Sequence, residues 1–396
     1  MPTLARCYNI DDLRLAARQR LPKVLFDYID GGSEDGMALR GNREAFERIM
    51  LETKFLVDLS QPDLSIDLFG KASALPMVIA PTGMAGLLWH DGEIALAKAA
   101  AKFNIPFAMS MMSINSMEDI VKAADGRYWF QVYMWREKEY NYEMIRRARE
   151  LGFEALVITI DGALGRNREH NDRNGLGFPF RPNLRALTSF ASRPRWLANV
   201  MLPYLARGQM PVHANLPKKY ERLVHLKAGI PSPKRFSAMT WDDLGPIRDM
   251  WQGPLIIKSI LSVADAEMAV KHGADGIVIS NHGGRSLDSA RPPIAALPEI
   301  AAAVGGRTTI MVDSGIRRGS DVAKSLALGA QATMLGRATL YGVAAGGQAG
   351  AERALDILRN EFEKTLGYIG CPRARELSHA NVCRELRPID ATTASR

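Results

Sequence analysis

The chain has 396 residues, 47% of them hydrophobic, enough for one large barrel or two to three ordinary domains. Its cysteines, Cys7, Cys371 and Cys383, are odd in number and lack CxxC spacing, which argues against a disulfide framework or a zinc site and for a reducing cytoplasm. The formal charge of +8 is uneven: residues 176–236 hold eleven Lys/Arg and one acid, Glu221, a local +10 that leaves −2 for the rest and marks a basic surface. No apolar run approaches the ~20 residues of a membrane span. The polar, charged start of the chain carries no pattern of a secretory signal.

In chain order, short helices are expected over 11–19 and 22–30, the second stopped at Gly31-Gly32. Eight apolar runs follow, at 75–80, 105–109, 128–133, 155–160, 254–257, 276–279, 309–312 and 332–335. Most lead into helical periodicity, as at 93–103, 117–124, 142–151, 263–272, 293–304 and 321–328. A long amphipathic helix is expected over 351–366. Near-continuous apolar strands alternating with helices imply a parallel sheet covered on both faces. Eight such units favour a closed (β/α)8 TIM barrel over an open doubly wound sheet. The Pro- and Arg-rich segment 176–236 falls between strands four and five and is too long for an ordinary loop. The expected organisation is one barrel domain over 1–389, with this excursion inside it and a tail over 390–396.

The strand ends carry the chemistry. They read Pro81-Thr82-Gly83, Ser110, Tyr133, Asp161, Lys258, Ser280-Asn281-His282-Gly283-Gly284-Arg285, Asp313-Ser314-Gly315 and Gly336-Arg337, and a barrel brings all of them to one face. Polar residues follow strands in any protein, but that does not explain why Lys, Asp, His and Arg collect here. His282 takes a proton near neutral pH, Arg285 can grip a carboxylate with two parallel hydrogen bonds, and the glycines allow a sharp turn close to a ligand. Asp161 is placed to favour the imidazolium. Lys258 ends an otherwise apolar run. A buried ammonium needs a negative partner, and an anionic ligand group is the economical one. Gly315, Arg317, Gly336 and Arg337, with a helix starting near Ser320, read as a phosphate site. No Walker motif or GxGxxG accompanies it, so a mononucleotide-type cofactor is expected rather than ATP or NAD.

These motifs, with Leu21-Pro22-Lys23, Asp27-Tyr28, Phe130-Gln131-Val132-Tyr133 and the extension to Leu287-Asp288, carry a family resemblance. From residue 8 to 389 the chain resembles the FMN-dependent 2-hydroxy acid dehydrogenases and oxidases, which include glycolate oxidase, lactate oxidase and flavocytochrome b2. It is most similar to the bacterial membrane-associated mandelate and lactate dehydrogenases. The resemblance implies oxidation of an L-2-hydroxy acid to a 2-oxo acid, with electrons passed to a quinone or other membrane acceptor, and a homotetramer. It makes His282 the base, Asp161 its partner and Tyr133 the tyrosine near the substrate hydroxyl. Tyr28, Arg168 and Arg285 match the substrate-carboxylate positions, and Lys258 the lysine beside the flavin. Pro81, Thr82, Gly83, Ser110, Gln131, Thr159 and Ser280 match ring contacts. Asp313, Gly315, Arg317, Gly336 and Arg337 match the ribityl-phosphate end, and Met112 lies near the substrate side chain. Three residues depart from the common pattern. Ser259 replaces a usual glycine and is expected to alter packing under the flavin. Ser286 replaces a usual glutamine and is expected to loosen its loop. Gly83 stands where many oxidases carry alanine, which leans towards a bulkier substrate and dehydrogenase behaviour. The alternatives are an oxidase that releases hydrogen peroxide and an FMN barrel isomerase.

Within the excursion, Trp196, Leu197, Val200, Met201, Tyr204 and Leu205 repeat at helical spacing, flanked by Arg193, Arg195 and Arg207. Such a stripe suits a membrane interface, with contact through 177–215 and a peripheral location on the inner face of the cell membrane. Packing on the barrel as a lid, or in an oligomer contact, competes with that reading. Pro203 is expected to kink the helix. Nucleic-acid binding has no recognition motif here.

Overall fold

Eight parallel strands close on themselves in chain order: β1 Met77–Ile79, β2 Phe107–Ser110, β3 Tyr128–Val132, β4 Ala155–Thr159, β5 Leu255–Ile260, β6 Gly276–Ile279, β7 Thr309–Val312 and β8 Ala332–Leu335. The (β/α)8 barrel expected from the apolar runs is therefore the fold. The computed structural model describes residues 4–162, 165–176, 183–218, 220–221, 223 and 239–383. The expected tail 390–396, the last residues of the expected 1–389 domain and the remainder of 176–236 lie outside the described residues.

The barrel closes where β8 meets β1, with Met77, Val78 and Ile79 opposite Thr333, Met334 and Leu335. Alternate residues of each strand face opposite ways. Val78, Ala108, Trp129, Val157, Ile256, Val278 and Met311 fill the interior, while Met77, Phe107, Phe130, Leu156, Ile257, Ile277 and Ile310 pack outwards under the helices. Both faces are dry, so the strands read as continuous apolar runs. A hairpin of Ile66–Leu68 and Lys71–Ser73, not expected from the sequence, brings Phe69 edge-on to the Trp129 ring at 5.7 Å. Its three-residue strands are too short to show a periodic signal.

Three helices precede the barrel: α1 Ile10–Arg20, α2 Lys23–Asp30 and α3 Met37–Glu47. The first two were expected. α1 starts at Asn9, whose side chain accepts from Asp12 N–H. α3 was missed, and the side chain that accepts from its Ala38 N–H is Asp288, 250 residues away. The expected helix over 351–366 belongs to a longer run, Arg337–Tyr368, broken at Gly346-Gly347. That run clasps the N-terminal helices. Tyr341 donates to Asp30, which Arg14 grips with two bonds of 2.6 and 2.7 Å, and Arg353 donates to the Cys7 carbonyl.

The excursion between β4 and β5 forms short helical pieces, Leu184–Ala191, Pro194–Trp196, Leu197–Met201 and Leu202–Ala206. Leu197–Met201 is a π-turn, in which Leu202 N–H reaches back to the Leu197 carbonyl. This wider turn sits just ahead of Pro203, where the kink was expected. The apolar stripe is split. Trp196, Val200 and Tyr204 are buried. The Trp196 indole donates to the Leu87 carbonyl at 2.8 Å and the Tyr204 hydroxyl to the Gly86 carbonyl at 3.2 Å. Half of the expected membrane stripe is thus a packing face on the barrel. Leu197 and Leu205 point away from it, as do Leu184, Leu187 and Leu202.

Candidate active site

The loop after β6 supports the site. His282, Gly283 and Gly284 have φ of 57°, 70° and 71°, three successive residues in the left-handed region. That conformation is easy for glycine and costs about 1–2 kcal/mol for histidine. Side chains of the same loop, of the end of β7 and of α3 hold it. The Ser280 hydroxyl accepts from His282 N–H, Ser314 Oγ from Gly283 N–H, and Asn281 Oδ1 from Gly284 N–H. Asn281 and Asn42 of α3 exchange a pair of bonds at 3.0 and 2.7 Å. A Cβ on Gly284 would lie 2.5 Å from the Leu39 amide nitrogen, so this position must stay bare. The guanidinium of Arg337, expected to bind phosphate, donates to the carbonyls of Ile29, Gly31 and Gly283 at 2.7–2.8 Å. Its first task is structural: it staples the end of α2 to the left-handed turn. Burial, followed by the charge of Arg285, pushes its pKa down to about 9.

The turn aims His282 across the barrel mouth. Nδ1 lies 3.1 Å from both oxygens of Asp161, and Nε2 lies 3.4 Å from the Tyr133 hydroxyl. With Nδ1–H donated to Asp161, Nε2 is left with a lone pair. Burial would raise the Asp161 pKa, but His282, Arg166 and the Ser286 hydroxyl together hold it far below the usual carboxylate range. Ser286 was expected to loosen its loop. It instead donates to Asp161 Oδ2 at 2.7 Å and ties the loop down. Burial, and then Arg166, lowers the His282 pKa to about 4 against the pull of Asp161. This balance favours the neutral imidazole.

Three guanidiniums crowd beside it. Arg285 donates to the carbonyls of Tyr28 and Gly31 and lies over the Tyr28 ring at 4.9 Å. Arg168 spends Nε on the Arg285 carbonyl and leaves Nη2 buried without a partner. Burial, with Arg285 and Arg166 close by, drives the Arg168 pKa well below its normal value. Arg166 is the third, 3.4 Å from Asp161. Among the described residues, Asp161 is the only acid that forms an ion pair with any of the three. Buried like charges of this kind are stabilised by an anion that enters the site.

Lys258 does not need a ligand for its charge. It is paired with Asp313 at the end of β7, two strands along the barrel, and donates to Ser280 Oγ at 2.7 Å. Asp313, expected near the ribityl-phosphate end, therefore balances the lysine. The next residue, Ser259, has φ 85°, the β5–β6 register slips there, and its hydroxyl is buried without a partner. The expected disturbance at this position is a strained bulge.

A cavity of about 690 Å3 joins these groups. Pro81, Thr82, Gly83, Ser110, Met112, Tyr28, Tyr133, Lys258, Arg168 and Arg285 all reach it, as do Asp313, Gly315, Arg317, Gly336 and Arg337. Gln131, Thr159 and Ser280 lie behind it. Ser110 donates to Gln131 and Gln131 to Thr159, each at 3.0 Å, a buried polar chain along β2, β3 and β4. Gly83 packs on Met112: an added Cβ would come within 3.0 Å of Met112 Cβ and crowd that wall. Sequence reasoning missed Arg166 and also His213, which the excursion inserts into the cavity wall. His213 is buried, with Nδ1 3.0 Å from the Met112 carbonyl. Neither residue follows a strand directly, so the strand-end rule does not reach them.

The sequence matches the family described as FMN-dependent dehydrogenase over residues 17–384. The chain belongs to this family. It is 38% identical over 371 residues to the (S)-mandelate dehydrogenase of Pseudomonas putida, covering 94% of this chain and 92% of that one. An L-lactate dehydrogenase of Vibrio cholerae is 38% identical over 376 residues, 94% of this chain and 98% of its own. The crystal structure of the monotopic membrane protein (S)-mandelate dehydrogenase matches with a TM-score of 0.88 at 37% identity, covering 96% of this chain and all of that one. The protein is thus an FMN-dependent 2-hydroxy acid dehydrogenase by family. Its residues fit FMN: the cavity has the size of a cofactor site, and Thr82 Oγ1 is buried there without a partner.

Glycine at 259 removes the left-handed strain and the orphan hydroxyl together. Ser259→Gly is expected to stabilise the holoprotein by about 1 kcal/mol in urea unfolding, where an unchanged or lower midpoint would refute strain at the bulge.

Proposed function

We propose that the enzyme oxidises an L-2-hydroxy acid of mandelate or lactate type to the 2-oxo acid, with His282 as the base. The observation that carries this reading is an imidazole held 3.1 Å from a carboxylate and set beside half-buried guanidiniums that share one acid partner. Bound FMN supplies the two-electron oxidant. Thr82, Ser110 and Lys258 would hold its ring, and Gly315, Arg317 and Gly336 its phosphate.

Arg168 and Arg285 bind the substrate carboxylate, which fixes the α-carbon and its hydroxyl relative to the base. Tyr28 and Tyr133 border the same space. His282 takes one substrate proton at Nε2, and Asp161 at Nδ1 stabilises the imidazolium that forms. The arginines and tyrosines close around the carboxylate and displace water from it. A phosphorylated substrate for an isomerase would leave the paired base and carboxylate clamp without a task. Gly83, which leaves Met112 uncrowded, supports a substrate larger than glycolate and a dehydrogenase rather than an oxidase. A quinone or other membrane acceptor fits the exposed apolar face of the excursion.

That face supports peripheral membrane contact. Leu184, Leu187, Leu202, Leu205 and Met210 are 55–77% exposed, among the exposed Arg185, Arg195 and Arg207. Among the described residues, no helix is long and apolar enough to cross a membrane. Leucines flanked by arginines suit the headgroup boundary. A homotetramer remains the expected assembly by family likeness.

His282→Gln is expected to retain FMN yet lose anaerobic bleaching by the hydroxy acid, a drop of at least about a hundredfold in rate. Normal bleaching would remove His282 as the base. Reoxidation of the bleached wild type should be faster with a quinone than with air, and the reverse order would make it an oxidase. Replacing Leu184, Leu187, Leu202 and Leu205 by serine should move the protein from the membrane fraction to the supernatant with its flavin intact. A wild type already found in the supernatant would end the membrane reading.

A further inference from the structure

Arg166 lies in the loop after β4, five residues beyond Asp161, and the reaction outlined above gives it nothing to do. Its Nη2 is 3.3 Å from Nδ1 of His282 and 3.4 Å from Oδ1 of Asp161. Its guanidinium sits 5.8 Å from the centre of the Tyr133 ring, and its Nε is buried without a partner. One cation therefore touches both members of the base–carboxylate pair.

The pair alone has a weakness. A buried carboxylate 3.1 Å from an imidazole favours a second proton on the ring, and a doubly protonated ring cannot act as a base. Arg166 opposes this in two ways. Its charge lies 3.3 Å from Nδ1, against 3.1 Å for the carboxylate, so it offsets part of the attraction that Asp161 exerts on the imidazolium. It also shares Oδ1 of Asp161, which spreads the carboxylate charge over two cations. The other groups that face His282 do not replace it. Tyr133 from the end of β3 is a hydroxyl at Nε2, and Ser286 bonds Asp161 from behind. Lys258 from β5 is neutralised by Asp313. Arg285 and Arg168 are committed to carbonyls and to the carboxylate space, next to Tyr28 of α2.

Resting on the assignment of His282 as base, we propose that Arg166 is a positioning residue that opposes a second proton on His282, so that the base works at lower pH than the His–Asp pair alone would allow.

Two measurements on the FMN-loaded protein test this. The first is the pH dependence of kcat/KM with (S)-mandelate or L-lactate, whichever bleaches the flavin. In Arg166→Met the acid limb should move up by about one to three pH units, the effect of removing a charge at this distance. Arg166→Lys should bring most of it back. The second is the titration of the His282 ring by 15N NMR of histidine-labelled protein, assigned by the signal lost in His282→Gln. Its midpoint should rise in Arg166→Met in parallel with the limb. A midpoint that stays at the wild-type value in Arg166→Met overturns the proposal, even if that variant is inactive. A midpoint that rises supports it. If instead His282→Gln turns over normally, the base assignment fails, and the NMR midpoint still reports what Arg166 does to the ring.

Discussion

The left-handed turn at 282–284 is the constraint on which the barrel mouth depends. A histidine does not hold φ 57° unaided, and the surrounding structure keeps it there. Ser280, Ser314, the Asn281–Asn42 pair and the Arg337 staple reach the turn from four different parts of the chain. The strain is small beside the bonds that oppose it. In return, the ring of His282 leaves the line of β6 and faces Asp161, which ends the strand two places away in the barrel.

Charge organises the same region. The interior face of the barrel carries one ammonium, and the protein neutralises it with Asp313. Around His282 the rim carries three guanidiniums short of acid, of which Arg166 pairs with Asp161. The first arrangement is complete without a ligand. The second leaves room for an anion from solution, which supports the proposed place of the substrate carboxylate at the rim. Burial lowers the pKa values of Arg168, Arg285 and His282, whereas, against burial, Tyr133 and Asp161 raise that of Arg166.

Much of this was legible in the sequence, for a physical reason. A parallel barrel buries both faces of each strand, so its strands stand out as apolar runs, and the residues that follow each run share one rim. The rule located His282, Asp161, Lys258, Arg285 and the glycines at 283 and 284. It did not show that Arg337 bonds three carbonyls or that Asp313 pairs with Lys258, because residue type does not reveal which protein groups a side chain meets. It passed over Arg166 and His213, which reach the cavity from loops whose path is set by tertiary packing. The stripe at 196–205 was readable as amphipathic. Which of its faces is wet became visible only with Trp196 and Tyr204 bonded to the barrel.

The Arg337 staple also bears on the order in which the molecule can be assembled. Ile29 and Gly31 belong to the first tenth of the chain, and the side chain that fixes them follows the last strand of the barrel. The clasp of Asp30 by Tyr341 spans the same distance. During synthesis, α1 and α2 emerge early and have no permanent seat until the ribosome has passed residue 341. The N-terminal helices that border the site thus gain their seat only once all eight strands have been made.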